Sequence, residues 1–139
     1  MTYDEFVTEY HSVSARTLQF LEKGRRDGLL AMEDMINREK VNQRDILEYG
    51  IQFVIDGTDN KFIDKILSNI IAQEDDKYTR QLMLIKKEAV LMINEDYNPG
   101  HIAQALNSLT DISLSNDPLA PNGKKGKIRL TLAPDKVYA

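Results

Sequence analysis

Residue types able to do chemistry are few in this chain and widely spaced. It has two histidines, His11 and His101, and no cysteine. A histidine metal site needs a second ligand at short, regular spacing. Neither histidine has a carboxylate so placed, and both are expected in surface or capping roles. The absence of cysteine removes disulfides, thiolate metal ligands and cysteine nucleophiles together, and it fits a reducing compartment. Ser12, Ser14, Ser68, Ser108, Ser113 and Ser115 lie in no nucleophile elbow. Gly24-Arg25-Arg26-Asp27-Gly28 lacks the preceding strand and the following Lys-Ser/Thr of a phosphate-cradling loop. Glu74-Asp75-Asp76 lacks the ligand spacing of a calcium loop and is expected as the negatively charged first turn of a helix. No catalytic residue, metal site or cofactor is expected, and the chain is not read as an enzyme.

One polar segment is different in kind. Glu33-Asp34-Met35-Ile36-Asn37-Arg38-Glu39-Lys40 is dense in both signs of charge and follows directly on an apolar stripe. Such a segment is either a solvated helix end or a docking surface whose charges select a partner and speed its encounter. Glu33, Asp34, Arg38, Glu39 and Lys40 are therefore the candidate partner-binding residues.

Helical periodicity positions this segment. Tyr3, Phe6, Val7, Tyr10, Val13, Thr17 and Leu21 recur every three to four residues and line one face of a first helix. Leu29, Met32 and Ile36 continue such a face beyond Gly24 and Gly28, and spacing alone does not say whether these glycines break or bend the helix. A third helix is expected over 45–55 with Leu47, Ile51 and Val54 inward, stopped at Asp56-Gly57. Asp59 then caps a fourth helix whose stripe is Ile63, Ile66, Leu67, Ile70 and Ile71. A fifth is expected over 74–94, with Leu82, Ile85, Ala89, Met92 and Ile93 on one side. Asn98-Pro99 opens a sixth, the asparagine capping and the proline filling a first-turn position whose N–H has no partner anyway. Its stripe is Ile102, Ala105, Leu106 and Leu109. The expected core includes Phe53, Val54, Ile63, Ile66, Leu67, Ile85, Met92, Ile102 and Leu106.

The fold class that follows is all-α, a compact bundle of five to six helices in helical hairpins over 1–113. A linker and basic tail follow over 114–139. Residues 116–126 are rich in Pro, Gly, Asn and Lys and read as linker. Lys127-Ile-Arg-Leu-Thr-Leu132 alternates as a short strand does, but one strand needs a partner edge. The tail is expected to be dispensable for folding. Residues 50–70 can also be laid over 89–109, pairing Asp56 with Glu95, Asp59 with Asn98, Ile63 with Ile102 and Leu67 with Leu106. Either two capped hairpins merely look alike, or the unit is a structural repeat.

The 139 residues suffice for one domain with a real core. A hydrophobic fraction of 42% and a charged fraction of 29% are those of a folded soluble domain. The net charge of −4 is uneven: 117–139 hold five basic and two acidic residues, and the rest holds 13 basic and 20 acidic. An acidic body argues against nucleic acid as the main partner. No apolar run approaches the roughly 18 residues of a membrane span. Met1 to Tyr10, carrying Asp4, Glu5 and Glu9, has no signal-peptide pattern. A cytoplasmic location is expected.

Three segments resemble the flagellar motor stator protein MotA family, in that family's order over about 15–109. Arg25-Arg26-Asp27-Gly28-Leu29-Leu30-Ala31-Met32-Glu33 is similar to its Arg-x-Glu-Gly-Leu-Leu-Ala-Leu-Glu stretch. Gly50-Ile51-Gln52-Phe53-Val54-Ile55-Asp56-Gly57 resembles its Gly-Leu-Gln-Leu-Val-Val-Asp-Gly. Lys87-Glu88-Ala89-Val90-Leu91-Met92-Ile93 with Asn98-Pro99 resembles its Glu-Gly-Ile-Leu-x-Ile-Gln-x-Gly-x-Asn-Pro-Arg. In the family, membrane helices lie between the second and third segments. Here residues 72–80 join them and are polar. The resemblance thus implies the cytoplasmic part of a stator subunit without the membrane helices that carry the ion path: a soluble paralogue, or two cytoplasmic pieces joined, with the tail beyond Asn116 favouring a natural protein.

What the resemblance implies functionally is a soluble stator-like protein, a scaffold or regulator of motility that conducts no ions. Its partners would be proteins: the rotor switch protein FliG, stator subunits or a second copy of the chain. The family's torque charges fall at Asp34 and Arg38-Glu39-Lys40. Two departures bear on rotor contact, because Asp34 and Gly100 each stand where the family has arginine. The alternative from a different class is a generic helical adaptor unrelated to motility.

Overall fold

A computed structural model describes residues 1–110. They form five α-helices and one 3-10 helix, and no strand occurs among them. The all-α bundle expected from periodicity is the fold found.

Helix α1 (Tyr3–Asp27) opens on a capping box. The Thr2 hydroxyl accepts from the Glu5 N–H at 3.1 Å and the Glu5 carboxylate accepts from the Thr2 N–H at 2.8 Å. Asp4 and Glu5 at its start and Arg25 and Arg26 at its end both oppose the helix dipole. Phe6, Tyr10, Val13, Thr17, Phe20 and Leu21 form its buried face. Phe20 had no place in the periodic stripe, and Tyr3 and Val7 are only half-buried. Of the two glycines that left the helix end open, Gly24 lies inside the helix. Gly28 ends it at φ 94°, its N–H donating to the Gly24 carbonyl at 2.9 Å. A 3-10 helix (Leu29–Met35) follows, so the stripe Leu29, Met32, Ile36 is not an α-helical face: Met32 is fully buried while Leu29 and Leu30 face solvent.

Helices α2 (Ile46–Ile55), α3 (Asn60–Ile71), α4 (Lys77–Asn94) and α5 (Pro99–Asn107) complete the bundle. Each begins at an Asx residue: Asp45, Asp59, Asp76 and Asn98 accept backbone N–H groups from the first turn. Glu74 and Asp75 therefore precede α4 and are not its first turn. The Glu74 carboxylate instead accepts the Asp76 N–H at 3.0 Å, and its carbonyl accepts the Arg80 guanidinium.

Helix α4 packs on α1, α2, α3 and α5, and this corrects its expected one-sided stripe. Gln81, Met83, Leu84, Lys87 and Val90 are buried along with the expected residues, because a central helix has no solvent face. Its polar members are paired. The Lys87 ammonium donates to Asp64 at 2.7 Å and Ser68 at 3.3 Å on α3, and the Gln81 amide to the Leu109 carbonyl at 2.8 Å. Where α2 crosses α4 there is no room for a side chain. A Cβ on Gly50 would stand 2.6 Å from Val90 Cγ2. Phe53 and Ile66, both expected in the core, are half-buried: Phe53 lies between the rings of Tyr49 and Phe62 at the bundle's side.

The overlay of 50–70 on 89–109 is matched by the turns, hydrogen bond for hydrogen bond. After α2, Thr58 N–H donates to the Phe53 carbonyl at 3.0 Å and Gly57 N–H to Val54 at 3.1 Å. After α4, Tyr97 N–H donates to Met92 at 3.1 Å and Asp96 N–H to Ile93 at 3.0 Å. Both are Schellman turns leading into an Asx-capped helix. The left-handed residue is Gly57 (φ 76°) in one and Asp96 (φ 57°) in the other. The expected linker and the strand over 127–132 lie outside the described residues.

Candidate functional site

The 3-10 helix and the connection from Ile36 to Asp45 carry all five candidate residues, and Glu33, Asp34, Arg38, Glu39 and Lys40 are all exposed. The fold brings them onto one continuous stretch of backbone but not into equivalent roles. Arg38 is committed within the molecule: its Nε meets Glu33 Oε1 at 2.7 Å and its Nη2 donates to Asp56 Oδ1 at 3.0 Å. The Asp56 hydrogen bond, followed by attraction to both carboxylates, raises the Arg38 pKa and holds it charged. Asp34, Glu39 and Lys40 take part in no ion pair among the described residues. The charges open to a partner are thus two acids and one base.

Short local turns give the connection its shape. The Asn37 side chain accepts the Glu39 N–H at 3.2 Å and its carbonyl accepts the Lys40 N–H at 2.9 Å. Asn42 repeats the device, with Arg44 N–H on its side chain at 2.8 Å and Asp45 N–H on its carbonyl at 2.8 Å. At the far end Arg44 pairs with Glu74, whose carboxyl is held below its usual range by the Asp76 N–H first and by Arg44 after it.

Two residues outside the candidate set position it. Arg16 on α1 donates to the Met35 carbonyl at 2.6 Å and to Glu48 at 3.2 Å, and its guanidinium lies 4.6 Å from the centre of the Phe20 ring. It fixes the end of the 3-10 helix against α1 and α2. Asp56 anchors Arg38. In sequence Asp56 is legible only as part of a helix stop and Arg16 only as a polar residue on an amphipathic helix, since both partners are distant in the chain.

Beside the 3-10 helix a cleft of about 450 Å³ opens. Phe20, Leu21, Met32 and Ile93 form its apolar floor, and Arg25 and Asp96 stand at its rim, paired at 3.0 Å. Leu29, 49% exposed, is one wall, and its neighbour Leu30 is 72% exposed. The cleft thus sets apolar surface beside the exposed charges of the 3-10 helix and the connection after it. Among the described residues no three His, Asp or Glu side chains are grouped to hold a metal ion, and no helix is long and apolar enough to cross a membrane.

No known family model, curated protein or solved structure matches the chain.

Proposed function

We propose that the chain is a stator-like protein-binding module that engages flagellar motor components as a scaffold or regulator of motility and conducts no ions. The observation that carries this reading is the mutual packing of the three stator-like segments. Arg25 of the first donates to the Asp96 and Tyr97 carbonyls at 3.2 Å, just before the Asn98-Pro99 of the third. Gly50 of the second lies against Val90 of the third. Arg38, just beyond the first, pairs with Asp56 of the second. The three segments thus form one packed unit, as this reading requires. In this reading Asp34, Glu39 and Lys40, with exposed Leu29 and Leu30 beside them, meet the partner, and Glu33 and Arg38 hold the surface in shape.

The test is binding of purified FliG and of purified stator subunits to the full chain, for wild type and Asp34→Lys/Lys40→Glu, at low and high salt. Exposed charges act chiefly on encounter, so the double reversal is expected to change the association rate at low salt and much less at high salt. Absence of binding to either protein would defeat the motor assignment. Binding with unaltered rates would move the contact elsewhere on the bundle.

A further inference from the structure

The connection from Ile36 to Asp45 is tied to the rest of the molecule in an unusual way. Its backbone hydrogen bonds are local, the Asn37 and Asn42 turns and the Ile36 N–H on the Glu33 carbonyl at 3.2 Å, until Asp45 joins α2 by accepting the Tyr49 N–H at 2.9 Å and the Glu48 N–H. Its polar ties to distant parts of the chain are the two arginines: Arg38 to Asp56 on the α2–α3 turn, and Arg44 to Glu74 before α4. Seven of its ten residues are exposed; Ile36, Val41 and Asp45 are the half-buried ones. Ile36, and Met35 just before it in the chain, pack on the core from the edge.

We propose that residues 36–43 form a charge-latched strap that opens as a unit, hinged at the Arg44–Glu74 pair and the α2 cap Asp45, while the five helices stay folded. The clasp is Arg38 between Glu33 and Asp56. All three side chains are between 38% and 53% exposed, so solvent and salt reach the clasp and hold it only weakly shut. Opening frees one guanidinium and two carboxylates together and lifts Ile36 off the core. A charged partner can trigger this by replacing either side of the clasp. If the strap is the partner-binding surface proposed above, binding and opening are coupled; the latch itself does not depend on that reading.

The experiment is limited trypsin digestion of the full chain, with the initial rate of cleavage after Lys40 read by mass spectrometry. The latch variant Glu33→Gln/Asp56→Asn keeps every trypsin site and removes both clasp carboxylates. The control Asp34→Asn/Glu22→Gln removes the same charge from exposed residues outside the clasp and away from the scissile bond. Losing two exposed pairs corresponds to between about two-fold and thirty-fold in the opening equilibrium. Cleavage of the latch variant is expected to quicken within that range and that of the control to match wild type. Added salt should bring wild type towards the latch variant. Equal rates for latch variant and wild type at low salt, or a control as fast as the latch variant, would overturn the proposal. So would loss of far-ultraviolet helical signal in the latch variant, since the clasp would then support the bundle itself. None of these readings requires a motor protein, so the latch and the proposed function fail separately.

Discussion

Gly50→Ala tests the most constrained contact in the bundle. The added methyl would lie 2.6 Å from Val90 Cγ2, 2.9 Å from Cγ1 and 3.2 Å from Cβ. Carbon atoms pack comfortably at about 3.5–4.0 Å. Val90 is fully buried, and a valine in a helix has essentially one χ1 rotamer, so it cannot swing away. Helices α2 and α4 must separate locally, an overpacking penalty near the upper part of the ~1–3 kcal/mol range. Alanine in place of glycine inside a helix returns ~0.8–1.0 kcal/mol. Gly50→Ala should therefore destabilise by about 1–2 kcal/mol net.

The diagnostic step is the double-mutant cycle. Val90→Ala alone creates a small cavity, at a cost of about 1–3 kcal/mol. With both γ-methyls gone, the Gly50→Ala methyl meets only a Cβ at 3.2 Å and partly refills the space. In that background Gly50→Ala should be neutral or stabilising by up to ~1 kcal/mol, a coupling of ~1–3 kcal/mol. Urea unfolding followed by circular dichroism, at unchanged m-value, reads all four corners. A stabilising Gly50→Ala in the wild-type background would mean that the helices part freely. Additive single effects would mean that Val90 is not what crowds Gly50.

The paired turns predict opposite responses at equivalent positions. Asp96→Gly should raise the thermal midpoint slightly, because relief of a left-handed aspartate, about 1 kcal/mol, outweighs the exposed Arg25–Asp96 pair it gives up, about 0.2–1 kcal/mol, while Arg25 keeps its bonds to the Asp96 and Tyr97 carbonyls. Gly57→Ala should lower it by a similar amount; two changes of the same sign in a thermal melt would contradict the shared turn geometry. Glu88 on α4 has its pKa raised, by burial first and by Asp64 more weakly, with Lys87 opposing. The native state therefore holds the Glu88 proton more tightly than the unfolded chain does, and ionised Glu88 is a penalty as pH rises through its folded pKa. Glu88→Gln should stabilise at neutral pH, with the gain closing as pH falls towards 4.5, and an equal gain at all pH values would reject the ionisation argument.

How far the sequence anticipated this molecule depends on which forces are local. Caps and stops are local: Asp59, Asn98-Pro99 and Asp56-Gly57 each act within one turn, and each was legible where it stands. Helix α3, at the bundle's side, kept a one-sided face with Ile63, Leu67 and Ile71 buried. Helix α4 did not, because being central is a property of the assembly and leaves no mark on spacing. The 3-10 helix was hidden because Leu29, Met32 and Ile36 fit an α-helical stripe equally well, and only the left-handed Gly28 separates the two outcomes.

The candidate site shows the same division more sharply. That the stretch from Glu33 to Lys40 is exposed and charged follows from composition, but which of its charges are free does not. Arg38 and Lys40 are two residues apart and alike in sign, yet one is clasped by Glu33 and Asp56 and the other is open to solvent. The difference comes from Asp56, delivered by the stop of a helix 18 residues away in the chain. A reversal at Arg38 would place a third acid beside two others and disturb the strap before any partner arrived. Lys40 reports on a partner without that disturbance, and a comparison of the two reversals separates a charge that recognises from a charge that holds.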